Sequence, residues 1–285
     1  MNMKRKASLA FHALSNFAGK AGCSKIPGAN FVNDYLSDLI SPTIDGEFTW
    51  INYEGHQLKI ASGDHVSERL LKSGAYEGTI ADLIHKKVNT GETVVDIGAH
   101  IGHHTLSMRA AAGETGTISA YEPHPRNAQY IRDTIKRNEF QNVSVIEGAL
   151  SDTHGVGNLE VDEANTGSSS LHTNTKKNHS IVEVNILDAD EEFESAGLSS
   201  IDFAKVDIQG GEFELIVGNN AILNTIGKMV IEIHPTSFLT PVQTKKVFER
   251  LDKEGQIESL SGQPISKKDI IHSRNDVCLY WESDG

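Results

Sequence analysis

The chain has 285 residues, enough for one large α/β domain with an appendage, and its 38% apolar content is ordinary for a globular protein. Lys and Arg number 26 against 39 Asp and Glu, a formal charge of −13, which argues against a nucleic-acid partner because phosphate binding needs basic surface. Two isolated cysteines, Cys23 and Cys278, support neither a disulfide framework nor a zinc site and fit a reducing cytoplasm.

Residues 1–45 read as a helical extension. Lys4, Arg5 and Lys6 precede Leu9, Phe11, Leu14 and Phe17, but Ser8, His12, Ser15 and Asn16 interrupt any apolar core. The segment is therefore a poor signal peptide and too short to span a membrane, and an amphipathic helix packed on the domain is expected. Residues 46–285 read as one domain. It opens with a hairpin from Phe48 to Ile60 around Glu54-Gly55, expected to flank the active-site side. Ile80, Leu83 and Ile84 then recur at helical spacing, and Asn89-Thr90-Gly91 ends that helix.

The next stretch is the most informative. Val94-Val95 ending at Asp96 suits a buried parallel strand, and Gly98 and Gly102 permit a tight turn with a helix packed close behind it. A dinucleotide fingerprint needs glycine at the first, third and sixth positions of that turn, and His100 and His103 occupy the last two. Asp96 would repel a pyrophosphate but attract the ammonium and sulfonium of S-adenosylmethionine. Glu122 ends a second strand, Thr117 to Tyr121, where a carboxylate can accept hydrogen bonds from a ribose diol.

The βαβ rhythm continues with a helix opened by Pro125 and a third strand, Val143 to Ile146. An inserted β-loop at about 155–187 breaks it: two β-like runs bracket the polar stretch Asn165 to Ser180, read as a mobile loop over the acceptor pocket or as plain solvated loop. Ile201 to Val206 and Lys228 to Ile233 are the fourth and fifth strands. A helix, Val242 to Leu251, and a final strand, Val277 to Trp281, close the chain.

Further motifs lie in order along the chain: Tyr76-Glu77, Gly148 to Asp152, Leu187-Asp188, Lys205 to Glu212 (KVDIQGGE) and Ile231 to His234. Over roughly Asp64 to Pro235 the sequence resembles the FkbM family of S-adenosylmethionine-dependent methyltransferases. The resemblance implies a Rossmann-like class I α/β fold: a mostly parallel seven-stranded sheet, last strand reversed, helices on both faces. It also implies methyl transfer, usually to a hydroxyl of a sugar, lipid or secondary metabolite. The chain departs from the family pattern at His100, where Asn is usual, at His103, often Tyr, and at Gln209, usually Glu.

In the cofactor site, backbone amides of Gly98 and Ala99 are expected to meet the methionine carboxylate, and Glu77 to approach its ammonium. Asp96, Gly102, Glu122 and Pro123 complete the turn and the ribose site, and Gly148 and Ala149 should face the adenine. Asp207 ends the fourth strand and is the first candidate for orienting or deprotonating the acceptor, with Gln209 orienting through hydrogen bonds. His234 is the best histidine for a general base, although a structural role fits it equally. Glu212 also reads as a first-turn helix acid. Asp207, Glu232 and His234 are suitable metal ligand types, but strand geometry could equally separate them, and no metal is expected. The partner expected is a small-molecule or glycan acceptor. Two other functions fit the pattern: methylation of a small amine, and a binding module without catalysis. Nucleic-acid base methylation lacks its Asn/Asp-Pro-Pro-Tyr/Phe motif, since Asp207-Ile-Gln-Gly stands there.

Overall fold

Two glycine-bearing features organise the fold: a hairpin turn at Glu54-Gly55, both at positive φ, and the turn after the first parallel strand. The computed structural model describes residues 47–162, 169–171, 180–219, 221–235, 237–271 and 273–284. The helical extension expected over residues 1–45 lies outside them.

Strands β1 (Phe48–Tyr53) and β2 (His56–Ala61) pair antiparallel. Helix α1 (His65–Ser73) is capped by the Asp64 carboxylate, which accepts from the Ser67 amide at 2.8 Å, and ends at Gly74 in the left-handed region. Then follow α2 (Gly78–Lys87), β3 (Thr93–Ile97), α3 (His103–Ala112), β4 (Thr117–Tyr121), α4 (Pro125–Arg137) and β5 (Val143–Ile146). Strands β6 (Ala149–Ser151), β7 (Gly155–Val161) and β8 (Ser180–Asp188) form a separate three-stranded sheet. The chain continues through α5 (Ala189–Ser195), β9 (Phe203–Val206), a π-helical turn (Glu214–Gly218), α6 (Ile222–Thr225) and β10 (Lys228–Ile233). It closes with α7 (Pro241–Glu254), β11 (Gly255–Ser259), α8 (Lys267–Ile271) and β12 (Val277–Ser283).

The main sheet has seven strands in the order β11-β12-β10-β9-β3-β4-β5. Strands β10, β9, β3, β4 and β5 run parallel, and β12 is reversed between β10 and β11. Central strands buried on both faces are largely apolar, and Val94, Val95, Phe203, Ala204 and Ile231 are all fully buried. Strand β11 escaped the sequence because Gln256 and Glu258 give a short half-polar edge with no apolar run.

The hairpin does not flank the cavity as expected. Its Tyr53, Leu58 and Ile60 pack with Val66, Leu70, Ile101 and Leu106, so it backs α1 and α3 from one layer behind. Most of the stretch Asn165 to Ser180 lies outside the described residues. Ser169 and Leu171, which are described, border the cavity.

Candidate active site

Gly98 stands where β3 ends, with φ of 79°, and a β-carbon on it would collide with the carbonyl oxygen of Asp207 at the end of β9. Glycine is thus required for both backbone conformation and close approach. The two strand ends meet beneath a cavity of about 280 Å³ that opens beyond the carboxyl ends of β3, β4, β9 and β10. The chain passes from β3 to β4 on one side and returns to β9 on the other, so this is the sheet's switch point, where ligands bind in open α/β folds.

Glu122, Pro123, Gly148 and Ala149 all border the cavity. The Glu122 carboxylate is fixed by two turns at once. Its Oε2 accepts from the His100 amide at 2.7 Å and its Oε1 from the His124 amide at 2.9 Å. Burial pushes this carboxyl up, against the lowering influence of His100 and the two amides. Each carboxylate oxygen has two lone-pair sites, so Oε2 keeps capacity for a ribose hydroxyl.

Three of the residues expected at the cofactor lie elsewhere. Asp96 is fully buried, takes a 2.6 Å hydrogen bond from Thr105 Oγ1, and does not border the cavity. Asp96 pairs in register with Lys205 of β9, whose Nζ lies 3.9 Å from its Oδ1, and it is Lys205 that borders the cavity. The Ala99 amide, like that of Gly98, donates to the carbonyl of Tyr121, at 3.0 and 2.9 Å, so both amides tie β3 to β4 instead of facing a ligand. Gly102 heads α3 with φ of 85° and packs against Ile131, which makes it a packing glycine.

Toward the other end, Glu77 borders the cavity and accepts from His104 Nε2 at 2.9 Å. His100 Nε2 lies 3.4 Å from Asp64. Burial opposes the charge on that ring, but the hydrogen bond and charge of Asp64 raise it above the ordinary histidine range. Asp64 is correspondingly held well below the carboxylate range despite its own burial. His100 therefore has a dedicated partner, which its sequence neighbourhood did not reveal because Asp64 caps a different helix. His103 borders the cavity, and among the described residues neither of its ring nitrogens has a hydrogen-bond partner.

At the β9 and β10 ends, Gln209 Nε2 lies 2.9 Å from Asp207 Oδ1 and 2.8 Å from His234 Nε2, and His234 Nδ1 lies 2.8 Å from Glu212 Oε1. These four side chains form one hydrogen-bonded row. Asp207 and Gln209 border the cavity, but His234 is 1% exposed and does not, because Gln209 stands in front of it. His234, expected as a general base or as a structural histidine, thus stands behind Gln209 and outside the cavity lining. Burial disfavours charge on His234, yet its bond to Glu212 and the charges of Glu212, Asp207 and Glu232 bring its pKa up to about 9. A charged ring donates from both nitrogens, whereas the Gln209 amide as oriented offers N–H to Nε2. Turning the amide over would bring its oxygen to Nε2 but also against Asp207 Oδ1, so protonation of His234 is coupled to the contacts of Gln209 with both neighbours.

Lys205, which alternates with Asp207 at the end of β9, pairs with carboxylates. Its Nζ donates to the Gly98 carbonyl at 2.9 Å and lies 3.5 Å from Asp207 and 3.9 Å from Asp96. Burial disfavours the ammonium, but Asp207, Asp96, Glu77 and Glu232 outweigh it and keep it charged. Burial likewise pushes Asp207 up, and Lys205, His234 and the Gln209 amide hold it below the usual carboxylate range. Glu232 borders the cavity, and burial and the charge of Asp207 bring it up to about 7.

Among the described residues two side-chain groups have metal-ligand geometry, Glu77 with His103 and His104, and Asp207 with Glu232 and His234. In the second, the Lys205 ammonium already neutralises Asp207 and His234 Nε2 faces Gln209, so a metal ion would compete with bonds already made.

A switch-point cavity with a carboxylate at the end of the second parallel strand and a reversed last strand defines a Rossmann-like class I methyltransferase. A sequence model of the methyltransferase FkbM domain matches residues 96–256, more than half of the chain. The chain belongs to the FkbM methyltransferase family, and its cofactor is S-adenosylmethionine, whose electrophilic sulfonium methyl is what such an enzyme transfers. No protein of curated function matches it.

Solved structures similar to it include an FkbM methyltransferase from Methylobacillus flagellatus KT, at 15% identity and TM-score 0.43, covering 78% of this chain and 56% of that one. Others are a precorrin-6y C5,15-methyltransferase from Geobacter metallireducens GS-15, at 16% identity and TM-score 0.43 over 75% and 92% of the two chains, and Aeropyrum pernix fibrillarin with natively bound S-adenosyl-L-methionine, at 14% identity and TM-score 0.42 over 84% of each.

Proposed function

We propose that the enzyme methylates a hydroxyl of a small-molecule or glycan acceptor, with Asp207 orienting that hydroxyl and Glu232 receiving its proton. The observation that carries this reading is the pair of cavity-facing carboxylates with opposite tuning: Asp207 held low by Lys205, Glu232 raised to about 7. An ionised Asp207 accepts the hydroxyl's hydrogen bond and aligns its oxygen with the sulfonium methyl. Alignment supplies most of the rate in a displacement of this kind. A carboxylate near neutrality is the better proton acceptor as the O–C bond forms and the S–C bond breaks. Gln209 and, behind it, His234 and Glu212 position Asp207 without touching the acceptor.

The cavity wall also carries Asp276, so carboxylates outnumber Lys205 around the acceptor and anionic acceptors are disfavoured. The same wall would hold an ammonium, which makes small amines the second acceptor class. Residues 46–285 are taken as the catalytic domain, with the β7–β8 insertion beside the acceptor.

The test is methyl transfer to a panel of hydroxyl and amine acceptors. Asp207→Asn and Glu232→Gln should each lower kcat by roughly 10²- to 10⁴-fold, the usual range for a lost acid–base group, while cofactor binding changes little. The wild-type rate should rise with pH through about 7 as Glu232 ionises, and Glu232→Gln should lose that limb. Wild-type turnover in both variants would refute the assignment.

A further inference from the structure

A glycine turn commonly offers its backbone amides to a ligand's carboxylate, but here they are taken. Those of Gly98 and Ala99 donate to Tyr121, and that of His100 to Glu122. The methionine carboxylate of the cofactor must find its donor elsewhere on the wall.

Of the three histidines that crowd this turn, two are committed, His100 to Asp64 and His104 to Glu77. His103 is not. It opens α3, is only 5% exposed, borders the cavity, and among the described residues has no partner at Nδ1 or Nε2. Leaving a buried imidazole unpaired costs stability, which a ligand group would restore. The ring is also held in place. Tyr53 and Tyr76 meet it edge-on at 6.5 and 5.7 Å, and the His104 ring lies 4.0 Å away. Burial, then the neighbouring His104, His100 and Lys205, keep His103 well below the usual histidine range. A neutral ring still donates one N–H, and does so without adding a fixed positive charge near a sulfonium.

We infer that His103 is the cofactor-positioning residue that donates to the carboxylate of S-adenosylmethionine's amino-acid end. The N-terminal end of α3 assists, since its first-turn amides lack intrahelical acceptors and its dipole favours an anion. Glu77, on the same stretch of wall, takes the ammonium. His103 thereby stands in for the tyrosine usual at its position, and the enzyme reads the amino-acid end through a side chain where the backbone is spent. The inference rests on S-adenosylmethionine being the cofactor.

The experiment is calorimetric titration of wild type and His103→Phe with two ligands, S-adenosylhomocysteine and 5′-methylthioadenosine, which keeps the adenosine and thioether but lacks the amino acid. Phenylalanine preserves the packing against Tyr53 and Tyr76. Expected is a roughly ten- to hundredfold weaker Kd for S-adenosylhomocysteine, the range for a hydrogen bond to a charged group, with the Kd for 5′-methylthioadenosine unchanged. An unchanged Kd for S-adenosylhomocysteine would overturn the inference, and so would equal weakening of both ligands, which would make the ring a packing element. If wild type binds neither ligand, the cofactor assignment beneath the inference fails instead.

Discussion

His234 lies among Glu212, Asp207 and Glu232, and its pKa of about 9 exceeds the value of about 6.5 for an unfolded histidine. Between those values the folded protein binds more protons than the unfolded chain. The contribution of His234 to stability is therefore full below about pH 6.5 and falls as pH rises toward 9. His100, also raised by its carboxylate, contributes in the same direction, so the diagnostic is a difference. Glu212→Gln removes the principal partner of His234, and its urea midpoint should decline less between pH 6.5 and 9 than that of wild type. Parallel declines would show that Glu212 does not set the His234 charge. The association of Asp207, Gln209 and His234 was legible in the sequence, because strand ends beside one another in a parallel sheet place their side chains together. The roles within it were not: which residue fronts the cavity depends on Gln209 adopting φ of 48° and folding back over His234.

At the scale of elements, the turn between β3 and α3 carries two glycines of unequal demand. Both have positive φ, where alanine costs about 1 kcal/mol. At Gly98 the added methyl meets backbone, the Asp207 carbonyl, which can yield only by parting β3 from β9. At Gly102 it meets the side chain of Ile131, with Cγ1 at 3.0 Å, which can shift. Gly98→Ala should lose about 3 kcal/mol or more of unfolding free energy and Gly102→Ala about 1–2 kcal/mol. Equal losses, measured by urea denaturation, would mean that the β3–β9 approach is not the constraint. This turn also shows where sequence reading succeeds and fails. Glycine spacing and the apolar strand pointed to the turn that borders the cavity. The destination of the amides was invisible, because hydrogen bonding to Tyr121 depends on how β4 lies against the turn, and so was the pairing of β3 with β9 that puts Lys205, its partner, on the cavity wall in place of Asp96.

The molecule as a whole couples a buried parallel sheet to a cavity whose charged side chains are mostly carboxylates, in a chain of formal charge −13. Among the described residues no helix is long and apolar enough to cross a membrane. A cationic cofactor suits this field, and the charged groups that border the cavity each have a local reason to be where they are: Glu122 fixed by two turns, Glu77 on His104, Lys205 balancing Asp207. The acceptor was not legible in the sequence because loops and side-chain rotations, not strand periodicity, shape the rest of the wall. The most direct measurement is calorimetric titration of S-adenosylhomocysteine into wild type and a folded Glu122→Ala variant. The account predicts saturable one-to-one binding by wild type, competed by S-adenosylmethionine and largely lost in the variant. Absence of binding by folded wild type, or undiminished binding by Glu122→Ala, would contradict it.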